Sequence, residues 1–446
     1  MANTYLTKTF SSSPTNAKIG TVSLWFRLAQ TAASNTFHRI FATGASATYR
    51  TDINITASTG ELNFTTVNSS TSLGTTQVLR DESAFYNLVI SYDTTQSTAS
   101  DRVKIYLNGE QITTFSTATY PDQNADLDFG NNSYAHYIGN SPHFSPRFFH
   151  GIMSHFHYVD GTAYPASTFG STDSTTGEWR INTAPSISSY GNNGFWILKD
   201  GNTITDSSPN SNNFSLGGGT LTNTQDNPSN VFATMNPLVN TPNGTYSDGN
   251  TQFNGGAAHR TAYGTLAFAT GKYYWETKAT GGTKYTIGLS DAENQSAYQQ
   301  VAGTNLIVGS NSNSYLKGDA IGWYYSTLYK NGSTIASGLT VIGTNDILRI
   351  AVDADAGKIY YAIGATWRVA NSTTFNASSN DTTFTTGRFY VPACSNENCG
   401  WKFNFGNGYF GTDAVASAGT NASNNGIFEY DVPTGYTALS TKGLNL

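Results

Sequence analysis

The chain has 446 residues and a formal net charge of −6, with 38% hydrophobic, 13% aromatic and only 12% charged side chains. That length corresponds to about two or three folding units. The charged share is about half the usual one, and with no basic run it argues against nucleic-acid binding through phosphate neutralisation.

Ser, Thr, Asn and 44 Gly stand where Lys, Glu and Ala would stand in a helical protein, and 27 Tyr and 25 Phe favour strands. Two cysteines cannot form a disulfide framework. The first residues, Met1 to Lys8, lack the apolar core of a signal peptide. No apolar run of the ~18 residues needed for a membrane span occurs, so no membrane insertion is expected. The expected place of synthesis is a cytoplasm, with exit by lysis or as part of a particle.

In chain order, Gly20 to Leu28 reads as a strand, with Val22, Leu24, Phe26 and Leu28 on one face. Phe85 to Tyr92 and Arg102 to Leu107 read as the next strands. Asn108-Gly109 then predicts a tight hairpin into Gln111 to Phe115. Ala135 to Ile138 and Gly151 to Val159 follow, and Pro165 to Phe169 reads as a turn. From Thr220 to Gly249 the chain turns rich in Asn, Pro, Thr and Asp and loses its period, which marks a boundary. A second series runs through Gly271 to Lys278, Tyr285 to Leu289, Asp319 to Tyr325, a hairpin at Leu328 to Gly332, Ile347 to Val352, Lys358 to Ile363, Gly387 to Pro392 and Gly400 to Phe405. The expectation is an all-β chain of two tandem antiparallel β-sandwiches, concanavalin/jelly-roll-like, over residues 1–227 and 250–446 with a linker at 228–249.

The second half carries Gly271-Lys272-Tyr273-Tyr274-Trp275-Glu276, Ile287-Gly288-Leu289, Gly318-Asp319-Ala320-Ile321-Gly322, Leu328-Tyr329-Lys330-Asn331-Gly332 and Phe403-Asn404-Phe405-Gly406. In this order the motifs resemble the SPRY core. The first half carries Tyr134 to Gly139, Gly151 to Gly161, Phe169 to Asp173, Gly177-Glu178-Trp179, Gly191 to Phe195 and Asp206 to Phe214. These resemble the laminin-G/concanavalin-like domain of tailed-phage structural proteins, in which the two domain types occur in tandem. The resemblance implies a tailed-phage virion protein of tail-fibre or adhesin type, and no particular ligand. With no catalytic set in the sequence, the expectation is a non-enzymatic recognition or capsid-decoration module, whose partners are other virion proteins, further copies of itself (a trimer among the options) and a host surface glycan or receptor.

Candidate chemistry is sparse. His136, His143, His150, His155 and His157 are five of the seven histidines, and 155 and 157 share a strand face as metal ligands could. Asp122, Asn124, Asp126 and Asp128 alternate like the start of a calcium loop, but Leu127 and Ser133 stand where an EF-hand needs Gly and Glu. The alternatives are a calcium site of oxygen ligands or an Asx-rich turn that caps its own backbone. Cys394 and Cys399 flank four residues of an expected hairpin and are either bridged or reduced. Gly406 to Gly411 fits a dinucleotide fingerprint only formally, because an Ala/Ser/Gly/Asn loop follows. No nucleophile elbow, zincin motif or phosphate loop is present, whereas a glycosidase needs only two facing carboxylates and is not tested by motif. Tyr298, Tyr315, Tyr324, Tyr325 and Tyr329 lie in or beside the SPRY-like loops, where flat rings suit sugar or protein contact.

Overall fold

The computed structural model describes residues 4–29, 37–67, 70–141, 147–199, 203–221, 224–239, 244–257, 259–281, 285–294, 308–309 and 318–445. The chain is all-β and folds as two tandem antiparallel β-sandwiches. One compact unit comprises residues 1–223 and 227–229, the other 224–226 and 230–446.

The first unit packs an eight-stranded sheet on a six-stranded one. The large sheet has the order Phe115–Thr119, Thr71–Val78, Glu61–Thr66, Tyr49–Thr56, Phe37–Ser46, Ala135–Ile138, Tyr5–Thr9, Ser215–Gly218. The small sheet runs Phe195–Ile197, Gly151–Asp160, Ile19–Leu28, Tyr86–Asp93, Val103–Leu107, Glu110–Gln111. Val22, Leu24, Phe26 and Leu28 all enter the core, as alternation requires, and meet Ile53, Ile55, Leu62 and Phe64 of the facing sheet. Each such side chain contributes about 1.5–3 kcal/mol by leaving water. Aromatic rings fill the middle, with Phe41 stacked on Phe129 at 4.6 Å and edge-on to Phe156 at 5.4 Å.

The turn at Asn108-Gly109 has φ of +49° and +83°, the left-handed pair that a two-residue hairpin demands. The returning strand is shorter than expected. Glu110–Gln111 pairs back, Ile112 turns into the core, and Phe115–Thr119 joins the opposite sheet beside Thr71–Val78.

In the second unit the six-stranded sheet has the order Arg260–Tyr263, Tyr390–Asn396, Tyr285–Asp291, Ala320–Tyr324, Thr327–Lys330, Ser333–Ala336. The other sheet runs Thr245–Ser247, Gln252–Asn254, Gly400–Asn404, Lys272–Thr280, Ile347–Asp353, Lys358–Ile363, Thr366–Trp367. Two short strands add to it: Thr382–Thr383 beside Lys358–Ile363, and Thr437–Ala438 parallel to Lys272–Thr280. The core is aromatic, with Trp275, Trp323 and Trp401 fully buried.

The linker expected at 228–249 is not one. Phe232, Ala233 and Met235 are core residues of the second unit, and Thr245–Ser247 is a strand of its larger sheet. A polar, Pro-containing sequence hid this because the buried run at 232–235 is short and has no two-residue period.

The glycines of two SPRY-like motifs have a packing reason. Gly288 and Gly322 face each other in register. A Cβ on Gly288 would lie 1.8 Å from the Ile321 carbonyl oxygen, and one on Gly322 would lie 2.1 Å from that of Val308. Bare backbone at Gly322 lets the chain at Val308-Gly309 lie directly on the sheet, and at Gly288 it lets the paired strand at Ile321-Gly322 approach. Val308 donates its N–H to Ser395 Oγ there (3.0 Å), and Gly332 donates to the Gly309 carbonyl (2.8 Å).

Candidate functional site

Two buried acidic side chains of the first unit, Asp160 and Asp206, are taken up by the fold. Asp160, at the end of the Gly151–Asp160 strand and 2% exposed, accepts the N–H groups of Thr15 (2.7 Å), Asn16 (3.1 Å) and Asn193 (3.0 Å). Asp206 accepts from the N–H of Trp196, Ser208 and Asn212 and from Ser208 Oγ, all at 2.7–2.8 Å. Asn193 donates to the carbonyls of Ser12 and Gly130, Asn210 to Gly191 and Gly194, and Asn212 to Asn192 and Gly194. The motifs Gly191 to Phe195 and Asp206 to Phe214 are therefore one knot, in which Asx side chains satisfy turns that have no strand partner.

Asp122, Asn124, Asp126 and Asp128, the residues of the calcium expectation, are not gathered into one cluster. Asp122 and Asn124 form an exposed turn with Asn124 at φ +64°, Asp126 pairs with Lys18, and Asp128 points inward to Thr51 Oγ1 at 3.2 Å. Three of the four side chains face water and Asp128 faces the core, so their oxygens do not meet at one point. Among the described residues no group of three or more His, Cys, Asp or Glu converges on a metal-sized site. This also sets aside the histidine ligand pair. His155 and His157 both flank Trp196, with His157 stacked on the indole at 4.8 Å and its Nδ1 on the Tyr190 hydroxyl at 2.9 Å. Burial holds His157 well below its usual pKa. His136 is buried with Nε2 accepting the Gly130 N–H (2.9 Å), which keeps it neutral, and burial lowers its pKa to about 3. His150 is half-buried against His38, and His143 lies outside the described residues.

The hairpin expected around Cys394 and Cys399 does not form. Tyr390–Asn396 pairs with Arg260–Tyr263 and Tyr285–Asp291 in one sheet, whereas Gly400–Asn404 pairs with Gln252–Asn254 and Lys272–Thr280 in the other. The intervening residues cross between sheets, and both cysteines are buried thiols without a bridge. Burial pushes the Cys394 thiol well up. A thiol reagent is therefore expected to leave Cys394 unmodified in the native protein and to modify it in 6 M guanidinium. Fast native labelling at Cys394 would contradict this packing.

Of the tyrosines singled out by sequence, Tyr298 and Tyr315 lie outside the described residues. Tyr324 and Tyr329 alternate with the core residues Trp323 and Leu328 and are half-buried on the outer face of the small sheet. Tyr324 lies edge-on to His259 at 5.5 Å, and His259 Nε2 is 3.2 Å from Glu397. Only Tyr325 of these three is well exposed, at 45%. It occupies the turn joining Ala320–Tyr324 to Thr327–Lys330 at φ +53°, a left-handed conformation that is uncommon for a bulky side chain. Its N–H donates to the Tyr285 carbonyl (3.3 Å), and its own carbonyl accepts the Trp323 indole N–H (3.2 Å).

Sequence reasoning missed a second ring pair, in the first unit. Tyr49 stands 38% exposed at the tip of the hairpin between Phe37–Ser46 and Tyr49–Thr56, with its ring 5.5 Å from that of half-buried Tyr134. A bulge at Gly44 to Ser46 re-aims the tip. Arg50 bonds the Ala47 carbonyl from within the turn and Asp52 Oδ2 at 2.6 Å. The only signal in the sequence was a Tyr beside a Ser/Ala/Thr turn.

The buried carboxylates elsewhere are also engaged. Asp52 holds Arg39 (2.5 Å) and Arg50 (2.6 Å), Asp291 holds Arg388 (2.8 Å), and Asp381 pairs with Arg368.

Residues 2–167 match the Laminin_G_3 model of the concanavalin A-like lectin/glucanases superfamily. That span covers most of the strands of the first sandwich. No curated protein matches the sequence. Among solved structures, the SPRY domain of human HERC1 aligns at 14% identity over 38% of this chain and 96% of that one, with a TM-score of 0.26. The TRIM65 PSpry domain aligns at 15% identity over 39% and 91%, also at 0.26. A heptameric SAP-like pentraxin from Limulus polyphemus aligns at 15% identity over 36% and 72%, again at 0.26. At this similarity no function passes from these proteins to this chain. No helix of the described residues is long and apolar enough to cross a membrane.

Proposed function

We propose that this chain is a non-enzymatic bacteriophage virion protein, displayed on a tail fibre, tail tip or capsid, whose sandwiches recognise a host-surface glycan or receptor. The observation that carries the reading is Tyr325, a large ring held outward at a turn fixed by two hydrogen bonds. A rigid exposed aromatic contributes contact area at little ordering cost on binding. The tandem motifs of both halves support the virion setting, and the laminin-G-type match of the first half supports a binding role. Other virion proteins and further copies of the chain are the partners this reading implies, with a symmetric homo-oligomer as the form of assembly.

A purely structural decoration is the second reading, favoured by Leu238 at 83% and Phe389 at 63% exposure. Electron cryo-microscopy of the particle separates the two. The chain at a tail or fibre tip with Tyr325 outward supports recognition; the chain tiled over the capsid with Tyr325 in a subunit contact overturns it. At a tip, Tyr325→Ala is expected to lower adsorption of the particle to host cells about tenfold, the loss typical of one anchoring ring, with the melting temperature unchanged.

A further inference from the structure

We infer that the first sandwich carries its own glycan subsite, built on the Tyr49–Tyr134 ring pair at the tip of the hairpin between Phe37–Ser46 and Tyr49–Thr56, and that it takes a neutral saccharide. The inference rests on the recognition reading above and adds to it a site, a unit and a ligand class.

The platform is aromatic and open. The two rings lie 5.5 Å apart at an interplanar angle of 57°, a tilted pair and not a parallel stack. Tyr49 keeps 38% of its surface in water, and neither ring belongs to the hydrophobic core of the unit. A saccharide presents a flat array of C–H groups that covers such a ring while its hydroxyls stay hydrogen-bonded.

The rim supplies the polar half. Ser46 and Thr48, on the same tip, carry hydroxyls 3.1 Å apart, and Ser133 beside Tyr134 is exposed. Asn131 uses its side-chain oxygen to accept the Ser133 N–H (2.9 Å), which leaves the amide NH2 turned from that bond. Hydroxyls and amides around an aromatic floor are the groups that pair sugar hydroxyls in both donor and acceptor sense.

The tip is also preorganised. Gly44 sits at φ +138°, and a Cβ there would lie 2.3 Å from the Tyr49 carbonyl oxygen and 2.5 Å from Arg50 Cα. The bulge therefore depends on bare backbone at this position, and it turns Tyr49 towards Tyr134. Arg50 braces the turn through Ala47 and is itself neutralised by Asp52, which also pairs with Arg39. No acidic or basic residue occurs from Gly44 to Tyr49 or from Phe129 to Ala135, and Asp128 is 3% exposed. Among the described residues of these two segments and Arg50 beside them, the cation present is Arg50, already paired with Asp52, so neutral hexose chemistry fits best.

The test is binding of the full chain to an array of neutral and sialylated oligosaccharides, followed by calorimetric titration of a neutral binder. Tyr49→Ala and Tyr134→Ala are each expected to weaken binding about tenfold, the factor one stacked ring supplies. Tyr49→Trp keeps a ring and should retain affinity within about threefold. Tyr325→Ala should leave it unchanged. Thermal melts of each variant separate loss of the platform from loss of the fold. Neutral-glycan binding that survives both alanine variants, or that only Tyr325→Ala removes, overturns this subsite and leaves the recognition reading standing. Binding confined to sialylated glycans overturns the ligand class. A wild-type chain that binds no glycan overturns the subsite outright, while particle imaging decides the virion reading independently.

Discussion

Replacing Glu276 by alanine is expected to destabilise the second unit by about 3–5 kcal/mol, the usual cost of removing one partner from a buried charged network. Glu276 lies fully buried on the Lys272–Thr280 strand. It accepts the Tyr274 hydroxyl (2.8 Å) and the backbone N–H groups of Glu429 (2.8 Å) and Tyr430 (2.9 Å). Tyr274 in turn accepts Arg349 Nε at 3.1 Å. Arg349 is stacked 4.5 Å from the Trp367 ring and 5.1 Å from that of Tyr430, and its other N–H groups reach the carbonyls of Gly364, Ala365 and Asp431. One carboxylate thus fastens the C-terminal segment at 429–431 to the outer face of the larger sheet. Alanine leaves two buried N–H donors and the Tyr274 hydroxyl without their acceptor.

The same residue fixes a pH dependence. Burial raises the Glu276 carboxyl from 4.5 to about 7. The folded state therefore holds this proton over a pH range in which the unfolded chain has lost it. The stabilisation is complete below about pH 4.5 and is lost as pH rises through 7. Urea unfolding followed by tryptophan fluorescence between pH 4.5 and 8 should show stability falling with pH in the wild type, with the slope flattened in Glu276→Gln. A loss below about 1 kcal/mol for the alanine variant would mean that the segment is held mainly by Phe428, Tyr436 and Leu439 in the core.

Asp160→Ala should have the next largest effect, about 2–4 kcal/mol on the first unit, because three backbone donors lose a single acceptor in a buried site. The three belong to two segments far apart in sequence, Thr15 and Asn16 on one side and Asn193 on the other. Asp160 therefore closes the loop knot onto the end of the small sheet. Hydrogen exchange is the sensitive readout. The amides of Thr15, Asn16 and Asn193 should lose protection in the variant, while those of Val22 and Leu24, deep in the sheet, keep theirs relative to global stability. Asp160→Asn keeps one acceptor oxygen and should recover part of the loss; equal destabilisation by both variants would show that the charge matters more than the geometry.

The all-β class was legible because strands set apolar residues two apart on one face, as Val22, Leu24, Phe26 and Leu28 are, and because Asn108-Gly109 and Asn331-Gly332 supply the left-handed residues that tight hairpins need. Much of the large sheet of the first unit was not legible. The strands between Phe37 and Val78 carry Thr, Ser, Asn and Asp on one face, and bulges at Arg39 to Phe41 and Gly44 to Ser46 break the two-residue period. Asp52 and Asn54 look solvent-facing by composition, yet both are buried by their ion pairs and amide bonds.

By itself the sequence determined which residues turn inward along a strand and where the chain reverses, since both depend on neighbours one to three positions away. Tertiary structure decided which sheet each strand joins. Tyr390–Asn396 and Gly400–Asn404 are adjacent in sequence and read as a hairpin, yet they lie in opposite sheets, so the hairpin geometry that would have set Cys394 opposite Cys399 is not there. It also decided what the polar residues do. Asp122 to Asp128 and Asp206 to Asn213 have similar Asx-rich sequences, but the first diverges between solvent and core while the second gathers backbone donors into a knot. The reason is that a carboxylate or a ring takes its role from partners tens to hundreds of residues away. Tyr49 meets Tyr134 only because long-range pairing brings Ala135–Ile138 against the Phe37–Ser46 strand.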